Sequence, residues 1–408
     1  MTEQTNTPEL RFSNFLDIWH IHKLSDVATI TGGGTPSTKV SEYWNGAIDW
    51  YTPNEIGERI YAKGSKKKIT NLGYKKSSTK LLPVNTILFT SRAGIGNTAI
   101  LAKEGCTNQG FQSIIPNSEK IDSYFIYTIS NHIKKYALKH AAGSTFLEIS
   151  GKELGKMKLF LPTLKEQQKI GVFFSKLDRQ IELEEQKLAK LEEQKKGYIQ
   201  QIFSQELRFK DEDGNDYTEW KTKKLDELGE FNSGVGFPEK YQGGNTGFPF
   251  FKVSDMNLLG NEKFMNTANN YVSIEQIKQK KWKVIQNVPA IIFAKVGAAI
   301  MLNRKRMVLN PFLIDNNTMS YSFSNHWDTN FGYVVFQTLN LPKYAQVGAL
   351  PSYNSKDIGI VQIRLPIKEE QEKIGDFFSK LDENINKQSQ KIDGLKLRKQ
   401  GFLQKMFV

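Results

Sequence analysis

Basic side chains in polar, glycine-containing segments are the residues of this sequence best suited to chemistry. The 408 residues include 56 Lys and Arg against 43 Asp and Glu, a formal net charge of +13. This surplus favours a polyanionic partner, most naturally nucleic acid, over the alternative of a generic basic surface. The candidate contacts are Lys66, Lys67, Lys68, Lys75, Lys76 and Arg92 in the first half, and Lys280, Lys281, Lys283, Lys295, Arg304, Lys305 and Arg306 in the second.

Lysine and arginine suit phosphates, whereas forked donors and amides read base edges. Arg92 lies in a glycine-rich loop after an apolar run, where a side chain can project toward a groove. Asn54 and Ser254 join the candidates because they end two segments of matching residue type, 48–56 and 248–256.

No group of residues in the sequence has the pattern of a catalytic or metal site. Cys106 is the single cysteine, which excludes a disulfide framework and a cysteine-based zinc site. His20 and His22 alternate on a predicted strand, and the acidic run 211–216 lacks the distal glutamate of a calcium loop. A phosphate-binding Gly-x-x-x-x-Gly-Lys motif is absent. We expect this chain itself to bind no metal and no cofactor.

A long internal repeat organises the chain. Residues 161–204 align with residues 365–408 without a gap, and 21 of the 44 pairs are identical. Apolar residues recur at steps of four and three, which predicts two long coiled-coil helices. Thr163 with Glu166 three residues later predicts the start of the first helix. The predicted packing positions are Ile170, Phe174, Leu177, Ile181, Leu188 and Leu191 in the first copy, and Ile374, Phe378, Leu381, Ile385, Ile392 and Leu395 in the second.

Each apolar stripe needs a partner. The other copy is the preferred one, because its polar interruptions, among them Lys195 and Lys399, fall at matching positions. The alternative is that each stripe packs on its own globular segment.

The remaining segments are also related, more weakly. Short β-type runs at 47–51, 86–90 and 290–294, broken by Gly, Pro and Asn, predict a mixed α/β (α+β) fold. We predict four segments: globular domains at 1–160 and 206–364, each followed by a helical segment, at 161–205 and 365–408. Divergent loops on a shared framework indicate two modules that read different ligands, with drift after duplication as the alternative.

The doubled signature resembles that of the specificity subunits of Type I restriction–modification systems. It runs Leu-Pro, Glu-Gln, Lys-Ile-Gly and Phe-Phe-Ser-Lys-Leu-Asp in both copies, and in the first it follows the motif at 143–150. The stretches 48–56, 91–96 and 108–111 are similar to that family's first target-recognition domain. The second half departs from the pattern at 294–297 and 316–319, which puts individual contacts in doubt more than the role.

The resemblance implies a DNA-binding subunit without catalysis of its own. Each globular domain would read one half of a split site in double-stranded DNA. The two helices would pack antiparallel, set the spacing and dock methyltransferase subunits. S-adenosylmethionine, ATP and Mg would be bound by the methyltransferase and restriction subunits.

Two other function classes are disfavoured by the sequence. A self-contained enzyme is disfavoured by the missing motifs, and a coiled-coil assembly protein with lectin-like or peptide-binding heads by the basic heads. No apolar run reaches the roughly 18–20 residues of a membrane span. The polar N-terminus has no signal-peptide core, so a cytoplasmic protein without membrane contact is expected.

Overall fold

The chain forms two compact units, of which the first is assembled from two separate parts of the sequence. The computed structural model describes residues 7–92, 94–143, 147–346 and 350–408, so parts of the motifs at 91–96 and 143–150 lie outside it. The first unit combines Met1–Gln186 with Ser389–Val408, and the second is Lys187–Gln388. Each unit therefore holds one globular segment, the beginning of the helix that follows it and the end of the other long helix. The units cut across the four predicted segments because both helices are shared.

The described residues of the first unit form ten strands in three sheets, in the orders β2-β9-β6-β7-β4, β5-β3-β8 and β1-β10. The strands are β1 (His20–Lys23), β2 (Ala28–Gly32), β3 (Trp44–Tyr51), β4 (Tyr61–Ala62), β5 (Lys67–Ile69), β6 (Ile87–Phe89), β7 (Thr98–Leu101), β8 (Gly105–Thr107), β9 (Gln112–Pro116) and β10 (Lys158–Leu161). The helices are α1 (Leu24–Val27), α2 (Asn71–Lys75), α3 (Ser123–Thr128), α4 (Ser130–His140), α5 (Gly151–Gly155) and α6 (Leu164–Phe203).

The second unit repeats this plan with sheets β12-β18-β15-β16, β14-β13-β17 and β11-β19. Its strands are β11 (Lys221–Lys224), β12 (Gly229–Ser233), β13 (Phe248–Phe251), β14 (Tyr271–Val272), β15 (Ala290–Ala294), β16 (Lys305–Val308), β17 (Leu313–Ile314), β18 (Thr318–Phe323) and β19 (Gln362–Leu365). Its helices are α7 (Leu225–Leu228), α8 (Ile274–Lys280), α9 (Thr329–Thr338), α10 (Ser355–Gly359) and α11 (Lys368–Lys405). The mixed α/β prediction is confirmed, and the three predicted strands fall in β3, β6 and β15.

Buried charged groups fix where each long helix begins. The Thr163 hydroxyl accepts the Glu166 amide at 3.4 Å, so the predicted cap is present. The Glu166 carboxylate is fully buried and receives Nε and Nη2 of Arg11, both at 2.7 Å. In the second unit Arg208 reaches the buried Glu370 in the same way, with its Nη2 at 2.9 Å. This contact ties the segment before the first strand to the helix that follows the last strand.

The glutamine next to each buried glutamate joins the helix to its globular segment. Gln167 accepts the Asp122 amide at 3.0 Å and donates to the Pro162 carbonyl at 3.0 Å. Gln371 makes the same bonds, with the Asp328 amide at 2.9 Å and the Pro366 carbonyl at 3.0 Å. The Glu-Gln pair of the repeat therefore has an architectural role in both units.

The two long helices run in opposite directions within each unit. In the first unit Lys399 Nζ lies 2.5 Å from Asp178 Oδ1, and Lys391 Nζ lies 2.5 Å from Glu184 Oε1. In the second unit Lys195 Nζ lies 2.5 Å from Asp382 Oδ1. Lys195 and Lys399, which interrupt the two apolar stripes, therefore each pair with an aspartate of the opposite helix. The antiparallel prediction is confirmed.

The predicted packing positions are all at least half-buried. Buried positions are Ile170, Phe174, Leu177, Ile181, Ile374, Phe378 and Ile392, and half-buried ones are Leu188, Leu191, Leu381, Ile385 and Leu395. Phe174 also belongs to the first unit's core with Trp19 and Phe125, and Phe378 to the second unit's core. Each helix thus packs on its own globular segment as well as on the other helix, so both readings of the stripe hold in part.

Candidate nucleic-acid interface

In the first unit, several loops meet at one end of the sheets. Strand β8 runs parallel to β3 and β9 runs antiparallel to β2, so the loops after β2, β3 and β8 lie together. The Gly34 amide donates to the Thr107 carbonyl at 2.9 Å, and the Ser91 amide to the Gly110 carbonyl at 2.8 Å. We call residues 33–35, 52–55, 91–92 and 108–110 the first loop edge.

The second unit has the same backbone arrangement. The Val235 amide donates to the Ile314 carbonyl at 2.9 Å, as Gly34 does to Thr107. The Lys295 amide donates to the Asn317 carbonyl at 2.9 Å, as Ser91 does to Gly110. We call residues 234–235, 252–257, 295 and 315–317 the second loop edge. Lys295 therefore occupies the position of Ser91, one residue before that of Arg92.

Glycine is required where these loops approach each other. A Cβ at Gly33 would lie 2.2 Å from the Asn108 carbonyl oxygen, and one at Gly234 would lie 1.7 Å from that of Asp315. The following turns are closed alike, because the Thr52 amide donates to Glu55 at 2.9 Å and the Lys252 amide to Asp255 at 2.8 Å. The two loop edges therefore share one backbone arrangement but carry different side chains.

Three candidates of the first half lie at or beside the first loop edge. Asn54 is exposed in the turn Pro53–Glu55, whose Glu55 carboxylate accepts the Lys66 amide at 2.6 Å. Arg92 is half-exposed, with its Nη1 3.9 Å from Glu148 Oε2. The geometry brings Asn54, Lys66 and Arg92 to the same end of the unit.

The other first-half lysines lie farther along the same sheet or on α2. Lys67 Nζ sits 5.9 Å from the Trp44 ring centroid, and Lys68 Nζ lies 3.6 Å from Asp49 Oδ1. Lys75 and Lys76 are exposed at the end of α2. Exposed ammonium groups on flexible stems suit phosphate contacts better than base readout.

In the second unit, Ser254 and Lys295 lie in the second loop edge, and Arg304 donates to Asn257 beside them. The remaining lysines lie at the end of α8 and in the segment after it. Lys280 Nζ sits 5.0 Å from the Tyr241 ring centroid, Lys281 is exposed, and Lys283 lines a cleft of about 190 Å³ together with Asn232 and Ser233.

Two members of the basic run 304–306 are less accessible than the sequence suggests. Lys305 is 1% exposed, and its Nζ donates to the Leu339 carbonyl at 2.7 Å. Arg306 is half-buried, and its buried Nε has no hydrogen-bond partner among the described residues. Burial lowers the pKa of Lys305 to about 8. The structure therefore supports a structural role for Lys305.

The buried lysine predicts a pH dependence of stability. Since the ordinary pKa of lysine is 10.5, the unfolded chain holds more protons than the folded one between pH about 8 and 10.5. The contribution of Lys305 to the free energy of unfolding should therefore rise with pH in that window, and Lys305→Met should remove this contribution. Urea midpoints at pH 7.5, 9 and 10 measure it, with the exposed Lys343→Met as control. Parallel curves for wild type and Lys305→Met would contradict the prediction.

Three amide side chains at the loop edges were not among the selected candidates. Gln109 is exposed at the tip of the first loop edge, and Asn316 and Asn317 are exposed at the tip of the second. Their signal in the sequence is a short run of Asn and Gln between two apolar segments, and this run carries no positive charge.

The described residues contain no group of three or more His, Cys, Asp or Glu side chains that could hold a metal ion. Cys106 is buried, and burial raises the pKa of its thiol to about 11. In the same part of the chain, no helix is both long and apolar enough to cross a membrane.

Comparison with known proteins gives a family match in each half. The family described as "Type I restriction modification DNA specificity domain" matches residues 17–193 and 217–397. A specificity subunit of the type I restriction enzyme MjaIX from Methanocaldococcus jannaschii is 32% identical over 306 residues, 72% of this chain and 69% of that protein. The EcoR124I/EcoR124II specificity subunit from Escherichia coli is 31% identical over 38% of this chain and 40% of that protein.

Solved structures show the same fold. A type I restriction–modification S subunit from M. genitalium has a TM-score of 0.61 at 15% identity, covering 98% of this chain and 99% of that one. A chain from work on complex assembly and conformational transition of the type I R-M system also has a TM-score of 0.61, at 17% identity, with 96% and 98% covered.

Proposed function

The chain belongs to the family of Type I restriction–modification specificity subunits, and we propose that each of its two units reads one half of a split site in double-stranded DNA. The observation that carries the proposal is the pair of loop edges. Both have the same backbone hydrogen bonds and the same obligatory glycine, but they present different side chains. A shared loop backbone that carries different exposed side chains suits two domains that recognise different half-sites.

The basic side chains fit this assignment as contacts to the phosphate backbone of the DNA. Lys66 lies beside the first loop edge, and Lys67 and Lys68 follow it along β5. Lys295 lies in the second loop edge, and Arg304 lies beside it. Phosphate contacts position a protein on the duplex, while base contacts specify the sequence.

We further propose that the chain is not itself catalytic. Methylation and restriction would be performed by partner subunits that bind S-adenosylmethionine, ATP and Mg. The long helices would dock the methyltransferase subunits. One structural neighbour is described in terms of complex assembly of the type I R-M system, which supports an assembly role for this fold.

The test combines DNA selection with an assay for methyl transfer. The full chain, incubated with a random-sequence duplex library, should enrich one two-part motif with a fixed gap. With S-adenosylmethionine it should transfer no methyl group until a methyltransferase subunit is added. Methyl transfer by the chain alone, or enrichment of no motif, would overturn the proposal.

The gap between the half-sites should depend on helix length. Helix α6 has 40 residues, and inserting about seven residues adds roughly 10 Å of helix, the length of about three base pairs. Such an insertion into one long helix should lengthen the selected gap or abolish binding. A seven-residue insertion in the exposed turn at 211–216 is the control and should leave the gap unchanged. An unchanged gap after the helix insertion would refute the proposal that helix length sets the spacing of the half-sites.

A further inference from the structure

The tips of the two loop edges differ at a position where the first unit cannot carry a side chain. Gly110 and Asn317 are equivalent, because their carbonyls accept the amides of Ser91 and Lys295. A Cβ at Gly110 would lie 2.8 Å from Pro53 Cγ and 3.0 Å from Asn108 Oδ1. The second unit has room at this position and carries an exposed asparagine.

The orientation of the Asn317 amide is fixed by its neighbour. Asn317 Nδ2 donates to Asp315 Oδ2 at 3.1 Å, and Asp315 is 5% exposed. The other carboxylate oxygen of Asp315 accepts the Thr318 hydroxyl at 2.6 Å. Because a carboxylate only accepts, the NH₂ group must face Asp315. Asn317 Oδ1 makes no hydrogen bond within the described part of the chain.

The first loop edge presents a different amide. Gln109 is exposed, and its Oε1 lies 2.5 Å from the Thr35 hydroxyl. Thr35 follows Gly34, whose carbonyl accepts Trp50 Nε1 at 2.8 Å, so the partner of Gln109 stands on a buried frame. A hydroxyl can pair with either end of an amide, so this contact fixes the position of Gln109 but not its donor or acceptor edge.

A positioned amide suits base readout better than a mobile lysine, since the ordering cost is already met in the free protein. We propose that Asn317 and Gln109 are base-reading side chains of the second and first half-sites, and that Asn317 presents its amide oxygen to an exocyclic amino group. In the major groove only adenine N6 and cytosine N4 offer that donor. This inference rests on the proposed DNA-reading function and assigns it to particular atoms.

The test is selection from a random-sequence duplex library by the full-length chain and four alanine variants. Asn317→Ala should relax one position of one half-site from A or C to all four bases and weaken binding about tenfold. Gln109→Ala should alter only the other half-site. The matched controls are Asn325→Ala and Asn117→Ala, exposed residues just beyond the opposite ends of β18 and β9, which should leave the motif unchanged.

A further variant tests the orientation of the amide. Asp315→Asn lets the Asn317 amide turn either edge outward, so the same position should additionally accept G or T. Thermal unfolding of each variant shows whether it is folded. Continued selection of the half-site that belongs to the unmutated unit is a second check.

The outcomes separate the two levels of the argument. A wild-type chain that selects no two-part motif overturns the proposed function. A wild-type motif that persists unchanged in Asn317→Ala and Gln109→Ala overturns only the assignment of these side chains. A change in both half-sites with either single variant also overturns the assignment.

Discussion

Replacing Arg11 by alanine is expected to lower the free energy of unfolding of the first unit by about 3–5 kcal/mol. In the described structure, the fully buried Glu166 carboxylate accepts two hydrogen bonds from the Arg11 guanidinium, both at 2.7 Å. Without Arg11 a charge stays in the interior unpaired, which costs more than the lost pair contributes. Urea unfolding of the full chain, followed by tryptophan fluorescence, measures the change.

Two variants sharpen this result. Lys156→Ala breaks a 2.7 Å pair with Glu153 in which the lysine is 57% exposed, and it should cost far less than Arg11→Ala because solvent screens the pair. Glu166→Gln in the Arg11→Ala background removes the stranded charge and should recover part of the loss. An Arg11→Ala chain as stable as Lys156→Ala would show that Glu166 is not held as described.

Charge reversal at Asp178 is expected to destabilise the first unit by several kcal/mol, about 3–5. The Asp178 side chain is 5% exposed and accepts Lys399 Nζ at 2.5 Å and the Tyr124 hydroxyl at 2.8 Å. Asp178→Lys sets two ammonium groups against each other in a mostly buried place. Adding Lys399→Asp restores opposite charges and should recover more than half of the loss, measured by the same unfolding assay as a double-mutant cycle.

The chain offers a matched control and a contrasting case. Glu185 and Lys396 pair at 2.7 Å on the same two helices but are 48% and 55% exposed, so reversing them should cost less than about 1 kcal/mol. In the second unit Asp382 also accepts Lys263 Nζ at 3.1 Å. The double reversal there leaves a lysine facing Lys263 and should not recover. Equal recovery in both units would contradict this account.

The long helices were predictable because their signal is local and periodic. Steps of three and four, the opening Leu-Pro and the cap at Thr163 all lie in one stretch of chain, and the structure confirms them. The partners of Lys195 and Lys399 were not predictable, since aligned polar breaks do not say which opposing residue each lysine meets. That depends on direction and register, which only the packed helices define.

The candidate site was predictable only in part, for a related reason. Basic residues can be found by type, but burial depends on the face of the strand they occupy. Lys305 and Met307 face inward on β16, whereas Arg306 between them is half-buried. The loop edges bring together residues that are far apart in sequence, as with Thr35 and Gln109. The stretches 108–111 and 316–319 can be matched in the sequence, but the contacts that position their amide side chains form only in the folded chain.

The sharing of the helices has a consequence for synthesis of the chain. Met406 is part of the first unit's buried core with Trp19 and Phe174, and the Leu10 amide donates to the Lys405 carbonyl at 2.8 Å. All of residues 187–388 must be translated between the two parts of that unit, which takes about 10–40 s at ordinary elongation rates. During that time Trp19 and Phe125 lack the aromatic cover of Phe407. The unit encoded first is therefore completed last, and a chain that lacks Met406 and Phe407 leaves the core of its amino-terminal unit unfinished.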